Sequence, residues 1–250
     1  MPVKKSAEGR REVESSIEIP GTPEEVWELV ATGPGVSSWF VPTRTEGDDA
    51  RPTQIICSFG PGMEAVAEIL AWAPPRSFRA EAPWGPDMPV ATEWHVEAQS
   101  GETCVVRVVH SLFSSTDDWD DQLEGTESGW RSFFTVLRLR QTHFRGLPAS
   151  VAQASHMVAG SAADVWARAS AGFGVAGEGA WTGPGGATGI VDRASDSEVF
   201  IVLERPTPGL LHLSAQPMGG QVMVAARRFH YGADVPAPDE AELLRTLSGI

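Results

Sequence analysis

The sequence is poor in cysteine, which argues against a disulfide-stabilised protein or a cysteine-based metal site. Cys57 and Cys104 are the two cysteines among 250 residues, and both fall in strand-like runs. Neither belongs to a CxxC motif or to a cysteine and histidine cluster, and no HExxH motif occurs. We therefore interpret both as small core residues and expect no metal site.

Basic residues and long apolar runs are also scarce. Lys and Arg number 19 against 33 Asp and Glu, a formal charge of -14 that repels phosphate backbones and anionic lipid. We expect no nucleic-acid partner. No apolar run approaches the roughly 20 residues of a membrane span, and the opening MPVKKSAEGRRE lacks the apolar segment of a signal peptide. We expect no membrane insertion and a cytoplasmic location.

Tyrosine is nearly absent, whereas tryptophan is abundant. Nine tryptophans stand against one tyrosine. Tryptophan supplies a large apolar area with a single hydrogen-bond donor, so this bias suits either a wide core or an aromatic-lined pocket. Composition alone leaves both interpretations open.

The longest helical pattern runs from Thr116 to Phe144. Apolar side chains recur at three- and four-residue steps with charged residues between them, which predicts one buried stripe: Leu123, Trp130, Phe133, Phe134, Leu137 and Phe144. Thr116 is the expected N-cap, and Gly146 ends the helix. Gly125 and Gly129 lie mid-helix, which indicates close approach to a sheet, space for a ligand, or tolerated glycine.

Strand and helix signals precede this long helix. Alternation predicts a strand over Val13 to Ile19, after which Thr22 and Pro23 begin a helix that buries Val26, Trp27, Leu29 and Val30. A short second helix is expected over Val36 to Phe40. Further strands are predicted at about Gln54–Phe59, Met63–Trp72, Ser77–Ala82, Val90–Ala98 and Thr103–Leu112. Together they predict an antiparallel meander.

Small residues occupy positions that alternation turns toward the core. Phe78, Ala80 and Ala82 share one face of their strand, and Ala65, Ala67 and Ile69 share one face of the preceding strand. A filled core prefers larger side chains at such positions. The pattern therefore predicts a cavity between the sheet and the long helix, unless loops or tryptophan side chains fill it.

Two motifs carry a resemblance to a known family. The run IEIPGTPEEVWELV followed by the Trp39-Phe40 pair, and the GWxxFFxxL run from Gly129 to Leu137, resemble the START-like or SRPBCC superfamily. The branch in question is related to activators of the heat-shock chaperone ATPase, and the match covers Glu12 to Phe144. The resemblance implies an α+β helix-grip fold, in which an antiparallel sheet wraps around a long C-terminal helix. It also implies apolar ligands and, in some members, catalysis.

The second half restarts the opening pattern. Val158-Ala159-Gly160-Ser161 with Val165-Trp166 corresponds to Ile19-Pro20-Gly21-Thr22 with Val26-Trp27 at a constant offset. We therefore predict two tandem helix-grip domains, 11–146 and 151–250, joined by Gly146 to Ser150. The second is degenerate and shortened, with strands from Gly189 to Tyr231 and a final helix at Pro238–Leu247. The alternative is that residues from Val151 onward extend a single domain.

Polar residues that could act on a ligand are few. Alternation turns His110 inward with Val106, Val108 and Leu112, where it could orient a carbonyl or move a proton, or be a core histidine bonded to a backbone carbonyl. Arg228 is a candidate for pairing with a ligand carboxylate, or it reaches solvent from a strand end. The predicted ligand-binding set is Trp39, Phe40, Ala65, Ala67, Phe78, Ala80, Trp94, His110, Trp130, Phe134 and Arg228.

Three functions compete at this point. The first, which we favour, is binding of an apolar small molecule such as a polyketide, polyene or lipid in an internal cavity, in a secondary-metabolite pathway. The second is a cyclase or aromatase acting on a polyketide intermediate, with His110 as a weak catalytic candidate. The third is a chaperone-associated protein that works from its outer surface. No phosphate loop or dinucleotide glycine run occurs, so no cofactor is expected.

Overall fold

The chain forms two compact units, Met1–His143 and Phe144–Ile250. The structure, a computed structural model, describes residues 3–5, 10–60, 62–83, 89–113 and 120–250, with backbone alone at 10, 113 and 120–128. Within these ranges, no helix is long and apolar enough to cross a membrane.

The described residues of the first unit form an eight-stranded antiparallel sheet and three helices. In chain order its elements are β1 (Lys4–Lys5), β2 (Arg10–Pro20), α1 (Pro23–Ala31), α2 (Gly33–Ser37), β3 (Thr43–Asp48), β4 (Arg51–Ser58), β5 (Glu64–Ala73), β6 (Ser77–Pro83), β7 (Pro89–Ala98), β8 (Thr103–Phe113) and α3 (Asp120–His143). The strand order is β1-β2-β8-β7-β6-β5-β4-β3. This is the predicted helix-grip fold. Strands β1 and β3 were not predicted, because their short polar sequences show no apolar alternation.

The corner between α1 and α2 differs from the sequence prediction. Thr22 caps α1 as expected, accepting from the Glu25 amide at 3.3 Å in a capping box. The predicted short second helix exists, but its bounds are wrong: it begins at Gly33 instead of Val36, because Thr32 caps it by accepting from the Gly35 amide at 3.1 Å. A Cβ at Gly35 would lie 1.7 Å from the Glu28 carbonyl oxygen, so only glycine allows this approach.

Helix α3 is more completely buried near its end than a single stripe requires. Trp130, Phe134 and Leu137 of the predicted stripe are buried, and so are Val136 and Leu139. The predicted cap Thr116 and the side chain of Leu123 lie outside the described residues. Arg140, one of the charged residues between the apolar positions, is only 7% exposed and donates to the Gln141 amide oxygen at 2.7 Å.

The second unit repeats the scheme with fewer strands. In chain order its elements are β9 (Ala149–Val158), α4 (Ala162–Gly172), β10 (Gly179–Thr182), β11 (Thr188–Ala194), β12 (Glu198–Arg205), β13 (Gly209–Met218), β14 (Gln221–Tyr231) and α5 (Glu240–Ser248). The sheet order is β10-β11-β12-β13-β14-β9. Val165 of α4 and Leu243 and Leu247 of α5 pack into one core with the sheet. Strand β9 begins inside the predicted linker, and Phe144 stacks on Tyr231 at 4.4 Å.

The first helices of the two units, α1 and α4, begin in the same way. Ser161 caps α4 as Thr22 caps α1, accepting from the backbone amide three residues later at 3.2 Å. Val26 and Val165, equivalent in the predicted repeat, are both fully buried. The last helix is 9 residues long in the second unit and 24 in the first. The chain is thus a tandem pair of helix-grip copies with a shortened second member.

Candidate functional site

Strand register identifies the surface of the first sheet that the helices cover. Phe78 pairs with both Trp72 and Trp94, and paired residues of antiparallel strands lie on the same face. Trp130 of α3 contacts Trp94 with ring centroids 5.1 Å apart, and Trp27 of α1 contacts Trp72 at 4.8 Å. We call this surface the helix-covered face.

One continuous group of rings packs on the helix-covered face, and we call it the aromatic cluster. Its members are Trp27, Trp39, Phe40, Trp72, Phe78, Trp94, Trp130, Phe133 and Phe134, each in ring contact with at least one other. Phe40 stacks on Trp130 at 5.1 Å, and the Trp39 indole donates to the Leu29 carbonyl at 2.8 Å. Six residues of the predicted ligand-binding set are therefore brought together, in contact mainly with one another. Their part in ligand binding stays a prediction.

The helix-covered face continues past the aromatic cluster along β5. Ile69 pairs with Ala80, which places Ile69, Ala67 and Ala65 on this face. A bulge between Ile69 and Ala71 returns Trp72 to the same face despite the odd spacing. Ala80 is 2% exposed, whereas Ala67 is half-buried and Ala65 is exposed. The apolar surface thus runs from a packed region into one that the protein leaves incompletely covered.

His110 occupies the predicted inward position on β8. It pairs with Val13 on one side and with Thr92 on the other, and its side chain is 9% exposed. The Trp130 indole Nε1–H donates to His110 Nε2 at 2.5 Å, and Nδ1 lies 3.0 Å from Thr92 Oγ1. The expectation of a backbone carbonyl as its partner is wrong, because two side chains occupy both ring nitrogens.

Burial keeps the His110 imidazole neutral. Desolvation lowers its pKa from 6.5 to about 4. Both nitrogens already serve hydrogen bonds inside the protein, so His110 cannot accept a ligand proton without breaking its bond to Trp130. The arrangement suits a positioning role better than a general base.

The other polar candidates are bound by the chain itself. Arg228 lies in the second unit, and its side chain is 11% exposed. Its guanidinium lies 3.1 Å from the Glu242 carboxylate of α5. His95 Nε2 on β7 lies 3.8 Å from the Glu93 carboxylate. Burial raises the pKa of both cysteine thiols; Cys104 is a core residue as predicted, whereas Cys57 is only half-buried. Throughout the described ranges, no group of three or more His, Cys, Asp or Glu could hold a metal ion.

Sequence reasoning missed Thr92 as a site residue. Thr92 lies on the same face of β7 as Trp94 and pairs with His110. No local signal identified its partner, because His110 lies on the next strand and Trp130 on a helix. Thr92 is half-buried beside Ala80, next to the incompletely covered part of the face.

Gly129 provides a direct test of the space beside α3. Among the described residues, a Cβ built there meets no heavy atom within 4 Å outside the helix's own backbone, so close approach to the described sheet does not explain this glycine. Gly129→Ala should therefore raise the free energy of unfolding by up to about 1 kcal/mol, because alanine is the better helix former. Urea denaturation measures the change. A loss of stability would contradict the open space.

The match to a known protein family lies within the first unit. The family model described as polyketide cyclase / dehydrase and lipid transport matches residues 10–139. No curated protein matches the chain.

Solved structures that resemble the chain share little sequence with it. One is the di-domain ARO/CYC BexL from the BE-7585A biosynthetic pathway, which is 15% identical in sequence. The match covers 96% of this chain and 94% of the BexL chain, with a TM-score of 0.46. DynU16, from the dynemicin biosynthetic locus, is 18% identical over 87% of this chain and 86% of its own, with a TM-score of 0.44. Aha1 from Colwellia psychrerythraea is 18% identical over 52% of this chain and 95% of its own, with a TM-score of 0.42.

Proposed function

Because the chain belongs to the polyketide cyclase / dehydrase and lipid transport family, we propose that its first unit binds an elongated apolar small molecule, polyketide-, polyene- or lipid-like, beside β5. One observation carries the proposal. The helix-covered face extends from the aromatic cluster onto Ala67 and Ala65, which are small and incompletely buried. An apolar ligand laid there would extend the packing of the rings.

The energetics are adequate for useful affinity. Burying apolar surface contributes about 25 cal/mol per Å², so about 500 Å² of buried ligand surface contributes about 12 kcal/mol, of which association consumes at least about 4 kcal/mol. Micromolar binding requires about 8 kcal/mol after the cost of immobilising the ligand. A rigid aromatic wall reduces that cost, because Trp39 and Phe40 are already held by their neighbours.

A cyclase or aromatase activity is the second candidate, favoured by the family description. It requires polar groups that converge on the ligand, and the candidates identified from the sequence do not supply them. His110 is bonded through both nitrogens, and Arg228 is paired with Glu242 in the second unit. We therefore place binding before turnover.

Two phenylalanine substitutions on one strand test the binding site. Ala67→Phe adds a ring to the helix-covered face, whereas Ala71→Phe adds the same ring on the opposite face, where Ala71 pairs with Arg79 and is exposed. Ala67→Phe should weaken binding of a fluorescent conjugated polyene fatty acid at least about tenfold, since even 1.4 kcal/mol of steric conflict has this effect. Ala71→Phe should bind like the parent.

Fluorescence titration of the folded variants measures both affinities. Ala80 is unsuitable for the same experiment, because at 2% exposure an added ring would overpack the core at about 1–3 kcal/mol. The proposal fails if Ala67→Phe binds as tightly as the parent. A parent protein that binds no apolar probe would move the surface-interaction alternative ahead.

A further inference from the structure

We propose that the Thr92 hydroxyl donates a hydrogen bond to a carbonyl oxygen of the ligand, so that the site prefers apolar ketones to hydrocarbons of the same shape. This inference rests on the proposed binding function and names the polar group that the apolar ligand carries. It follows from the direction of the hydrogen bonds around His110.

The first step fixes the protonated nitrogen of His110. An indole N–H can only donate, so Trp130 makes His110 Nε2 an acceptor that carries no proton. A neutral imidazole without a proton on Nε2 carries it on Nδ1. Nδ1–H therefore donates to Thr92 Oγ1 across 3.0 Å.

The second step follows the proton of Thr92. A hydroxyl offers one donor and two acceptor sites, and His110 uses an acceptor site. The Thr92 O–H must then donate to a different group. Among the described residues, Thr92 has no side-chain hydrogen bond besides that to His110. An unused donor on a largely apolar face is costly unless water or a ligand supplies an acceptor.

The third step is the position of Thr92. It stands opposite Ala80 on the helix-covered face and remains half-buried, while Trp94 two residues later belongs to the aromatic cluster. An apolar ligand bound beside β5 therefore lies near one hydroxyl donor, that of Thr92. Indole, imidazole and hydroxyl form a chain of donors in one direction, and each bond polarises the next.

A carbonyl oxygen suits this donor best. It accepts a neutral hydrogen bond without bringing a charge onto the apolar face, where an unpaired ion is costly. Trp130 and His110 are positioning residues in this scheme, because they orient the Thr92 hydroxyl without meeting the ligand.

A matched pair of probes separates the hydrogen bond from shape. The probes are 2-acetylanthracene and 2-isopropenylanthracene, in which a methylene group replaces the carbonyl oxygen. Thr92→Val should weaken binding of the ketone about threefold to tenfold, the usual net effect of one neutral hydrogen bond, and leave the alkene within about twofold. Because each variant binds both probes, any change in its own packing cancels in the ratio.

Ser15→Ala is the matched control. Ser15 pairs with Val108 on the helix-covered face, and its Oγ is buried there without a hydrogen-bond partner in the part of the chain that the structure describes. Its removal should leave the ratio of the two affinities unchanged. A ratio that depends on Ser15 instead of Thr92 would overturn the proposal.

Nitrogen chemical shifts of the imidazole test the premise independently of any ligand. We expect the Nδ1–H tautomer of His110 in the free protein, and the Nε2–H tautomer would overturn the inference. Equal loss of both probes in Thr92→Val, or no preference for the ketone in the parent, would overturn it while leaving the binding function standing. Failure of the parent to bind either probe would overturn both.

Discussion

Replacing Trp130 with alanine should lower the free energy of unfolding of the first unit by about 3–5 kcal/mol, the usual cost of removing a large ring from a packed core. Trp130 is 9% exposed and contacts Phe40, Trp94 and His110, so its loss removes the centre of the aromatic cluster. Urea denaturation followed by tryptophan fluorescence measures the change.

The Trp130→Phe variant separates the contribution of ring packing to stability from that of the indole hydrogen bond. Phenylalanine keeps much of the ring packing but removes the indole donor, which leaves His110 Nε2 buried without a partner at about 1–3 kcal/mol. We expect the phenylalanine variant to fall between the parent and the alanine variant. A small loss of stability in Trp130→Ala together with a large loss of ligand binding would instead assign Trp130 to an open site.

Acid should destabilise the first unit through His110. Burial lowers its folded-state pKa to about 4, while the unfolded chain titrates near 6.5. Below pH 6.5 the unfolded state binds a proton that the folded state refuses, so stability is complete above pH 7 and is lost as the pH falls toward 4. The total is about 3 kcal/mol, of which about 2 kcal/mol is lost between pH 7 and pH 5.

His110→Gln is the control for this titration. A glutamine oxygen can accept from Trp130 and its amide can donate to Thr92, but it cannot take up a proton in this range. Unfolding measured at pH 7 and pH 5 should show a smaller acid loss in the variant by about 2 kcal/mol. Some loss of stability in acid is expected in both proteins, because burial also lowers the pKa of His212 and His230. Equal acid losses would contradict a buried neutral His110.

The sequence predicted those parts of the fold that local chemistry determines. Thr22 and Pro23 define the start of α1, and alternation around Arg107 placed Val106 and Val108 inside, where both are fully buried. Such signals need only neighbouring residues. The start of α2 was misplaced, because the sequence analysis did not identify Thr32 as the residue whose side chain caps this helix.

Strands without apolar alternation could not be predicted in the same way. Strand β3 is half-buried or exposed along its length, so no apolar period marks it. The bulge in β5 was also invisible, because it depends on pairing with β6 and not on the sequence of β5 alone. That bulge determines on which face of the sheet the Trp72 side chain lies.

The candidate site could likewise be predicted only where neighbouring residues along the chain determine it. Alternation predicted the inward position of His110, but its partners come from β7 and α3, so neither its neutral state nor the direction of its bonds follows from one strand. The alanines predicted to line a cavity also differ from one another, because Ala80 is packed in the core while Ala67 is half-buried. Which alanines leave space depends on where the rings lie.

Native mass spectrometry of the full chain with a conjugated polyene fatty acid tests the central proposal most directly. The proposal predicts one bound molecule per chain, saturating at micromolar concentration, retained by Ala71→Phe and lost in Ala67→Phe. Adducts that increase in number without saturating, or an adduct equally abundant in both variants, would contradict a binding site beside β5.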